Sequence, residues 1–462
     1  MTDILSDKTN KVLRKMSIPI GVGMLSTFLF QVVDTYFIGK LGSESLAALG
    51  FSSTIYFVLV SLYIGLSIGV SIIIGQAVGQ GDMPKVKKTT WLSLLLSFGL
   101  SVILSTISIL FIDPIFSALG ASNEILPLIK EYTIPILIGM PFLTIGITAS
   151  GILRASGNIT KPEVIMAIAG LINVILDYAL IFGKWGLPEM GIQGAAYATA
   201  ISWFFVLIGM IVLLLQDKLL GAAKDATNTI KSLTREIFKL GLPTILTQII
   251  GPLTVAFLTF LLAQQSPMAV AAFGVVSRIE MLLLIGVLSV STAITPFVAQ
   301  NSGAKSIARI DQAIVFGGKA STYISLIIAT LLFIFVKPIV SIFSEDPDII
   351  NYATNYFYII CLSYAFYALY LITTAVFNGL QKTLISLKIT LMKSLIFAVP
   401  LTLIGSNWGV NGIFIGLALA NVLAGIYAAI IMRKEIKENH PDLKKLSAIQ
   451  DYKNDFRKLF KK

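Results

Sequence analysis

The sequence predicts an all-α integral membrane protein, and two properties of the chain carry this prediction. Of its 462 residues, 56% are hydrophobic and only 13% are charged, whereas soluble domains carry about 25% charged residues. Apolar runs of roughly 20 residues recur along the chain, and each is long enough to cross ~30 Å of hydrocarbon as a helix. The sequence has no succession of alternating ~10-residue strands, which argues against an outer-membrane barrel.

Twelve such runs are present, and their flanking charges predict the orientation. Lys40, Lys130, Lys184 and Lys337 fall in loops opposite the N-terminus, while most other Lys and Arg residues fall on its side. By the positive-inside rule, both termini are expected in the cytoplasm and the protein in the inner membrane. Because topology accounts for the net charge of +11, no nucleic-acid partner is expected. The predicted spans are residues 17–38, 53–78, 89–111, 128–152, 163–182, 191–215, 237–263, 270–298, 315–336, 353–378, 386–407 and 411–432.

The second half of the chain repeats the first. Residues 15–19 match 239–243, and residues 46–50 match 270–274 at the same offset. Two six-helix lobes are predicted, related by a pseudo-twofold axis along the membrane normal, because an even number of spans keeps both halves in one orientation. Such lobes are suited to alternating access in a transporter; a duplication kept only for packing is the alternative. The predicted domains are residues 1–215 (N-lobe), 216–236 (cytoplasmic linker), 237–432 (C-lobe) and 433–462 (cytoplasmic tail).

Three acidic residues, Asp34, Asp177 and Glu280, lie well inside the predicted spans. An ionisable group there costs ~2.5–3.5 kcal/mol, so a functional role is the default interpretation. Asp34 is about 6 Å below the outer end of the first span, and Asp177 about 8 Å below the outer end of the fifth. We therefore expect the two carboxyl groups at nearly one depth in the N-lobe.

Other polar side chains are expected close to this pair. Asn173 shares a helix face with Asp177, Thr199 lies in the sixth span, and Tyr132 is near the outer end of the fourth. The set is suited to binding one Na⁺ through oxygen atoms, or the two carboxyl groups to sharing one proton. In the simpler alternative, each aspartate only hydrogen-bonds a helix terminus.

Pro19 and a second group of charges each admit two interpretations. Pro19 removes a backbone hydrogen bond and favours a bend in the first span, although a proline also commonly marks a helix start. Arg278 and Glu280 point to different faces of the eighth span, and Lys393 in the eleventh lies at comparable depth to Glu280. A structural ion pair is the favoured interpretation of these charges, and gating is the second.

The remaining motifs argue against an enzyme and for close helix packing. The single histidine, His440, lies in the polar tail, and the chain contains one cysteine and no P-loop pattern. The predicted spans therefore contain no histidine for a His-based metal site or for Ser-His catalysis. Gly65 and Gly69 form a small-residue spacing of the kind that lets helices approach closely.

Several motifs together resemble prokaryotic multidrug and toxic compound extrusion (MATE) transporters. They are Asp-Thr-Tyr-Phe-Ile-Gly at 34–39, Leu-Ala-Ala-Leu-Gly at 46–50, Arg-Ala-Ser-Gly-Asn at 154–158 and Gly-Ala-Ala-Tyr-Ala-Thr at 194–199. The resemblance implies an antiporter that exports amphipathic, often cationic compounds in exchange for H⁺ or Na⁺. We also expect a monomer surrounded by membrane lipids, with no cofactor. A lipid-precursor flippase of the wider superfamily is the alternative.

The resemblance also implies roles for individual residues. The cation site, and the metal site if the ion is Na⁺, falls on Asp34, Asn173, Asp177 and Thr199; the substrate cavity falls on Tyr132 and Tyr36, and the helix bend on Pro19. Many family members carry further acids in the seventh and tenth spans. Here the position that repeats Asp34 is Leu258, so the chain is similar to the branch whose cation site is in the N-lobe.

Overall fold

The computed structural model describes residues 4–221 and 227–439. Residues 222–226 of the predicted linker and the predicted tail from residue 440 onward lie outside the described residues. Within the described ranges, all regular secondary structure is helical.

Six long helices make up the first half of the chain. A short helix, Ile112–Ala118, follows the third of them. The bounds of the six long helices are α1, Thr9–Gly39; α2, Ser43–Gln80; α3, Met83–Leu110; α4, Leu126–Ala155; α5, Thr160–Ile181; and α6, Gly191–Gln216.

Six further helices follow, and two of them depart from regular α-helix. α10 contains a 3₁₀ turn at Cys361–Ser363, and α11 contains a π-helical stretch at Met392–Ala398. Their bounds are α7, Thr227–Gln265; α8, Pro267–Gly303; α9, Ile307–Ser341; α10, Pro347–Gly379; α11, residues 383–405; and α12, Gly409–Asn439.

These helices provide twelve membrane crossings in the described part of the chain. Eleven continuous helical runs are apolar and long enough to span, and the last of them covers 54 residues. A 3₁₀ turn at Ser406–Trp408 and the left-handed backbone of Gly409 (φ 74°) divide that run into α11 and α12. The predicted all-α membrane fold is confirmed.

Local sequence signals explain where several helices begin. The Asp82 carboxylate accepts a hydrogen bond from Lys85 N (3.0 Å) at the start of α3, and Ser266 Oγ accepts one from Met268 N (3.2 Å) at the start of α8. Asp346 does the same for Asp348 N (2.8 Å) at the start of α10. Each cap satisfies an N–H group that has no partner within its helix.

The described residues form two compact units, and α1 and α7 each contribute to both. The first unit contains residues 18–249, and the second contains residues 4–17 and 250–439. The boundary between the two units therefore falls inside two helices. It lies between Ser17 and Ile18 in α1 and between Ile249 and Ile250 in α7. Hydrophobic runs carry no signal for such a division, because the helix continues through it.

Pro19 lies one residue after Ile18, where α1 enters the first unit. The helix begins at Thr9, so Pro19 is well inside it, and the interpretation of this proline as a helix start does not apply. The predicted first span began at residue 17 because hydropathy does not register the polar turns that precede it.

The N-terminal half of α7 packs against α2 in the first unit. Thr244 Oγ1 donates a hydrogen bond to the Gly65 carbonyl (2.7 Å), and a Cβ on Gly69 would stand 2.6 Å from Gly241 Cα. A Cβ on Gly65 would meet the Ile245 backbone. The predicted small-residue spacing thus allows two backbones to come into direct contact.

In the second unit, the N-terminal segment is held by α9. Arg309 Nη2 donates to the carbonyl oxygens of Ile4 (2.7 Å) and Asp7 (2.8 Å). Thr9 Oγ1 donates to Gln312 Oε1 at 2.6 Å. These contacts fix the first turns of α1 to the second unit.

Candidate functional site

Two carboxyl groups meet inside the first unit. Asp34 comes from α1 and Asp177 from α5, and their side chains are within hydrogen-bonding reach of each other. Asp177 is completely buried, whereas Asp34 is half-buried. With both groups taken as carboxylates, Asp34 Oδ1 and Asp177 Oδ2 are buried without a donor. Two such oxygens are able to share one proton or to bind one cation.

An amide joins Asp177 to the neighbouring helix. Asn173 Nδ2 donates to Asp177 Oδ1 at 3.4 Å and to Thr199 Oγ1 of α6 at 3.3 Å. Asn173 precedes Asp177 by one helical turn, so the two side chains share a face of α5. The structure thus brings together all four residues that were expected to form the cation site.

A cavity of about 230 Å³ opens beside the carboxyl pair. This volume is below the ~300–1,000 Å³ of pockets that enclose drug-sized ligands, so the cavity has room for a cation with water or for one end of a larger molecule. Asp34, Asn173, Thr199 and Tyr132 contribute to its wall.

Aromatic rings form much of the remaining wall. Tyr132 lies close enough to both aspartates to interact with them electrostatically, as does Tyr56 with Asp34. The Tyr56 ring stacks on Trp203 (centroids 6.1 Å apart, interplanar angle 9°). These rings keep the polar pair in a low-dielectric environment and offer flat apolar surfaces to an organic group.

The carboxyl pair is suited to binding and releasing a cation. Two unit charges ~4 Å apart repel by about 4 kcal/mol at an effective dielectric constant of ~20. One proton shared by the pair removes this repulsion. One Na⁺ held by carboxylate and hydroxyl oxygens does the same, and the Asn173 amide, whose nitrogen faces these groups here, adds its oxygen if it turns over. The four residues fit either ion.

Tyr36, expected in the substrate cavity, is placed elsewhere. It is not among the described residues that line this cavity; its side chain is 59% exposed, and Lys40 Nζ lies 5.1 Å from the ring centroid. Tyr36 follows Asp34 by two residues, which turns its side chain by about 200° around α1.

The charges of the second unit form a separate group. Glu280 Oε1 accepts hydrogen bonds from Tyr364 Oη (2.9 Å) and Tyr356 Oη (3.1 Å), and Lys393 interacts with Glu280 electrostatically. Arg278 is exposed on another face of α8. The hydrogen bonds that hold Glu280 therefore come from tyrosines of α10, which the sequence did not identify.

Helical spacing offers a signal for some cavity residues that sequence reasoning missed. Thr27 and Gln31 precede Asp34 by two turns and one turn, and both line the cavity. Gly170, one turn before the Asn173 face, is packed against the Phe30 ring of α1. Tyr56 and Trp203 gave no such signal, because their proximity depends on how α2 and α6 pack.

Known proteins resemble this chain over nearly its whole length. The MatE family profile matches residues 19–179 and again residues 243–404, and both matches begin at prolines that the internal repeat pairs. The chain is 34% identical to the FAD transporter of Shewanella oneidensis, over 92% of this chain and 94% of that protein. It is 27% identical to the probable multidrug resistance protein NorM of Thermotoga maritima, over 92% and 91% respectively.

Solved structures share the fold. A mutant of the Vibrio cholerae MATE transporter VcmN has a TM-score of 0.90 at 26% identity, covering 94% of this chain and 98% of that chain. The same transporter in its bent form has a TM-score of 0.88 at 27% identity, covering 93% and 97%.

Proposed function

The chain belongs to the MatE family of membrane transporters, which are not enzymes, and from this premise we propose that it is a cation-coupled antiporter exporting amphipathic organic compounds. The observation that carries this proposal is the contact between Asp34 and Asp177 beside a cavity. Entry of H⁺ or Na⁺ neutralises the pair, and its release restores the repulsion. The cycle therefore alternates between two electrostatic states of one site.

Helix α1 connects this electrostatic change to a movement. Asp34 lies near the C-terminal end of α1, and Pro19 lies in the same helix next to the boundary between the two units. Since proline lacks the N–H group for the helical hydrogen bond, α1 bends most easily there. A change in the partners of Asp34 is expected to shift the segment beyond Pro19 while Arg309 holds the first turns.

The protein is proposed to act as a monomer in the inner membrane with both termini in the cytoplasm. The excess of Lys and Arg in the loops on the N-terminal side supports this orientation. Export then moves the substrate outward while the coupling cation moves inward.

Two substrate classes remain candidates. The acidic site of the first unit favours cationic compounds, which agrees with the multidrug resistance relatives. The relative named FAD transporter is 34% identical over 92% of this chain, and it favours a planar aromatic anion as a second candidate. A lipid-precursor flippase is the remaining alternative. The acidic cavity of the first unit disfavours its phosphate groups as it does those of FAD, so an anionic substrate of either class requires cationic partners elsewhere in the protein.

The proposal is tested by applying the two gradients separately. In proteoliposomes containing the purified protein, either an inward pH gradient at zero Na⁺ or an inward Na⁺ gradient at equal pH is expected to drive export of ethidium or of FAD. Substrate release is followed by fluorescence, with a collapsed gradient as the control. Transport that neither gradient accelerates contradicts cation coupling.

Substitutions at Thr199 test whether its hydroxyl oxygen contributes to the cation site. Thr199→Val keeps the side-chain shape and removes the oxygen that Asn173 contacts, and losing such a partner costs about 1–3 kcal/mol. We expect the concentration of cation needed for half-maximal transport to rise by roughly tenfold, while Thr199→Ser stays close to the unmodified protein. Equal behaviour of the valine and serine variants contradicts a role for this oxygen.

A further inference from the structure

A lysine lies near the middle of α11 in the second unit. Lys393 is about 15 Å along the helix from its start at Thr383, and it falls in the π-helical stretch Met392–Ala398. π-Helical turns are rare and occur frequently at functional sites. A charge at this depth in a membrane protein marks a site that needs a partner.

The nearest partners of the Lys393 ammonium are aromatic faces. Its Nζ lies 4.8 Å from the ring centroid of Tyr367 and 5.3 Å from that of Tyr370. The two rings are stacked, with centroids 5.8 Å apart. In the described part of the chain, Nζ has no hydrogen-bond acceptor and no carboxylate within 4.0 Å. An ammonium has three N–H donors, and here none of them is satisfied by a protein oxygen.

Glu280 interacts electrostatically with Lys393, but its carboxylate is hydrogen-bonded to other side chains. Its Oε1 accepts hydrogen bonds from Tyr356 and Tyr364 of α10, and it acts on Lys393 only through the electrostatic field. This arrangement holds the carboxylate away from the ammonium. The negative charge reduces the cost of placing a partly buried lysine here and leaves its N–H donors available.

The open side of this cluster is formed by Tyr367 and Lys393. Tyr370 is buried, with its Oη 2.9 Å from Thr390 Oγ1. Tyr367 and Lys393 both keep part of their side chains accessible, and among the described residues the Tyr367 hydroxyl has no hydrogen-bond partner. An incoming molecule would therefore contact the accessible parts of Tyr367 and Lys393.

We propose that Lys393 and Tyr367 form a substrate subsite for planar aromatic anions, in which the ring system stacks on Tyr367 and the anionic group binds the Lys393 ammonium. Stacking on tyrosine tolerates many ring systems, and lysine binds phosphate as a point charge. An organic cation is repelled by the ammonium. The proposal rests on the proposed export function and gives it a substrate class for the second unit.

The charge requirement is tested with two ligands that share one ring system. FMN and riboflavin differ by a phosphate, so their binding to the full-length protein in nanodiscs of zwitterionic lipid separates charge recognition from stacking. For Lys393→Gln we expect FMN affinity to fall by about tenfold, as for loss of a charge-assisted hydrogen bond, with riboflavin affinity unchanged. Lys393→Arg retains FMN binding. Lys388→Gln is the control, since Lys388 is an exposed lysine of the same helix.

The aromatic requirement is tested at Tyr367. Tyr367→Leu is expected to weaken both ligands to a similar extent and to reduce quenching of flavin fluorescence, whereas Tyr367→Phe preserves both properties. If Lys393→Gln does not accumulate as folded protein, Tyr367→Leu still tests the proposal. Unchanged binding of both flavins in that variant contradicts the proposed subsite.

Two results overturn the charge assignment. One is an equal effect of Lys393→Gln on FMN and riboflavin; the other is loss of FMN binding in nanodiscs containing phosphatidylglycerol, which assigns the ammonium to a lipid headgroup. Binding is measured without any gradient, so a failure of cation coupling leaves these results unaffected. Conversely, an unchanged FMN affinity in Lys393→Gln leaves the antiport proposal standing.

Discussion

Asp34→Asn is expected to reduce cation-driven export to the level of liposomes without protein. Asparagine keeps the size of the side chain but cannot take up a proton or contribute a negative charge to a bound Na⁺. The variant leaves Asp177 as the one carboxyl group of the pair, so the repulsion between two carboxylates is lost and with it the coupling step. Transport of ethidium under each imposed gradient measures the effect.

A matched control for this substitution exists in the same unit. Asp113→Asn removes the same charge from the short helix after α3, where the exposed carboxylate pairs with Lys130 at 2.6 Å. Exposed pairs of this kind contribute about 0–1 kcal/mol, so export by Asp113→Asn is expected to remain near that of the unmodified protein. Both variants should elute as folded protein on size exclusion. Full export by folded Asp34→Asn contradicts the proposed mechanism.

Hydropathy and repetition predicted most of the fold. The twelve crossings and the MATE resemblance are confirmed, because a bilayer admits few structures for long apolar runs and because the family profile matches both repeats. The helix ends were less accurate: α7 begins at Thr227 rather than at residue 237. A polar extension of a membrane helix has no hydropathy signal.

Depth along a helix was enough to place Asp34 beside Asp177, since two residues at one height on neighbouring helices need only the right rotation to meet. Rotation itself is set by packing, which the sequence does not provide. For this reason the tyrosine partners of Glu280 and the Tyr56–Trp203 stack were not anticipated. The position of Tyr36 outside the cavity could have been predicted, because a side chain two residues after Asp34 points to the opposite side of an α-helix.

Gly65→Leu is expected to abolish accumulation of folded protein, as the contact between α2 and α7 has no room for a side chain. A Cβ at this position meets the backbone of Ile245, and the Thr244 hydrogen bond to the Gly65 carbonyl holds that backbone in place. Backbone cannot rotate aside as a flexible side chain does, so α7 must separate from α2. Overpacking in a core typically costs about 1–3 kcal/mol, and a leucine against backbone lies at or above the upper end.

The control is Gly99→Leu, which adds the same side chain to another helix of the first unit. Gly99 lies in α3, and a Cβ added there would have no neighbouring atom within 4 Å; leucine also favours helix by up to about 1 kcal/mol over glycine. Its yield and thermal stability in detergent, measured by fluorescence-detected size exclusion, should therefore equal or exceed those of the unmodified protein. Gly65→Ala places the same Cβ against the Ile245 backbone, so it should also lower the thermal stability, though less than leucine does. A Gly65→Ala protein as stable as Gly99→Leu contradicts this packing argument.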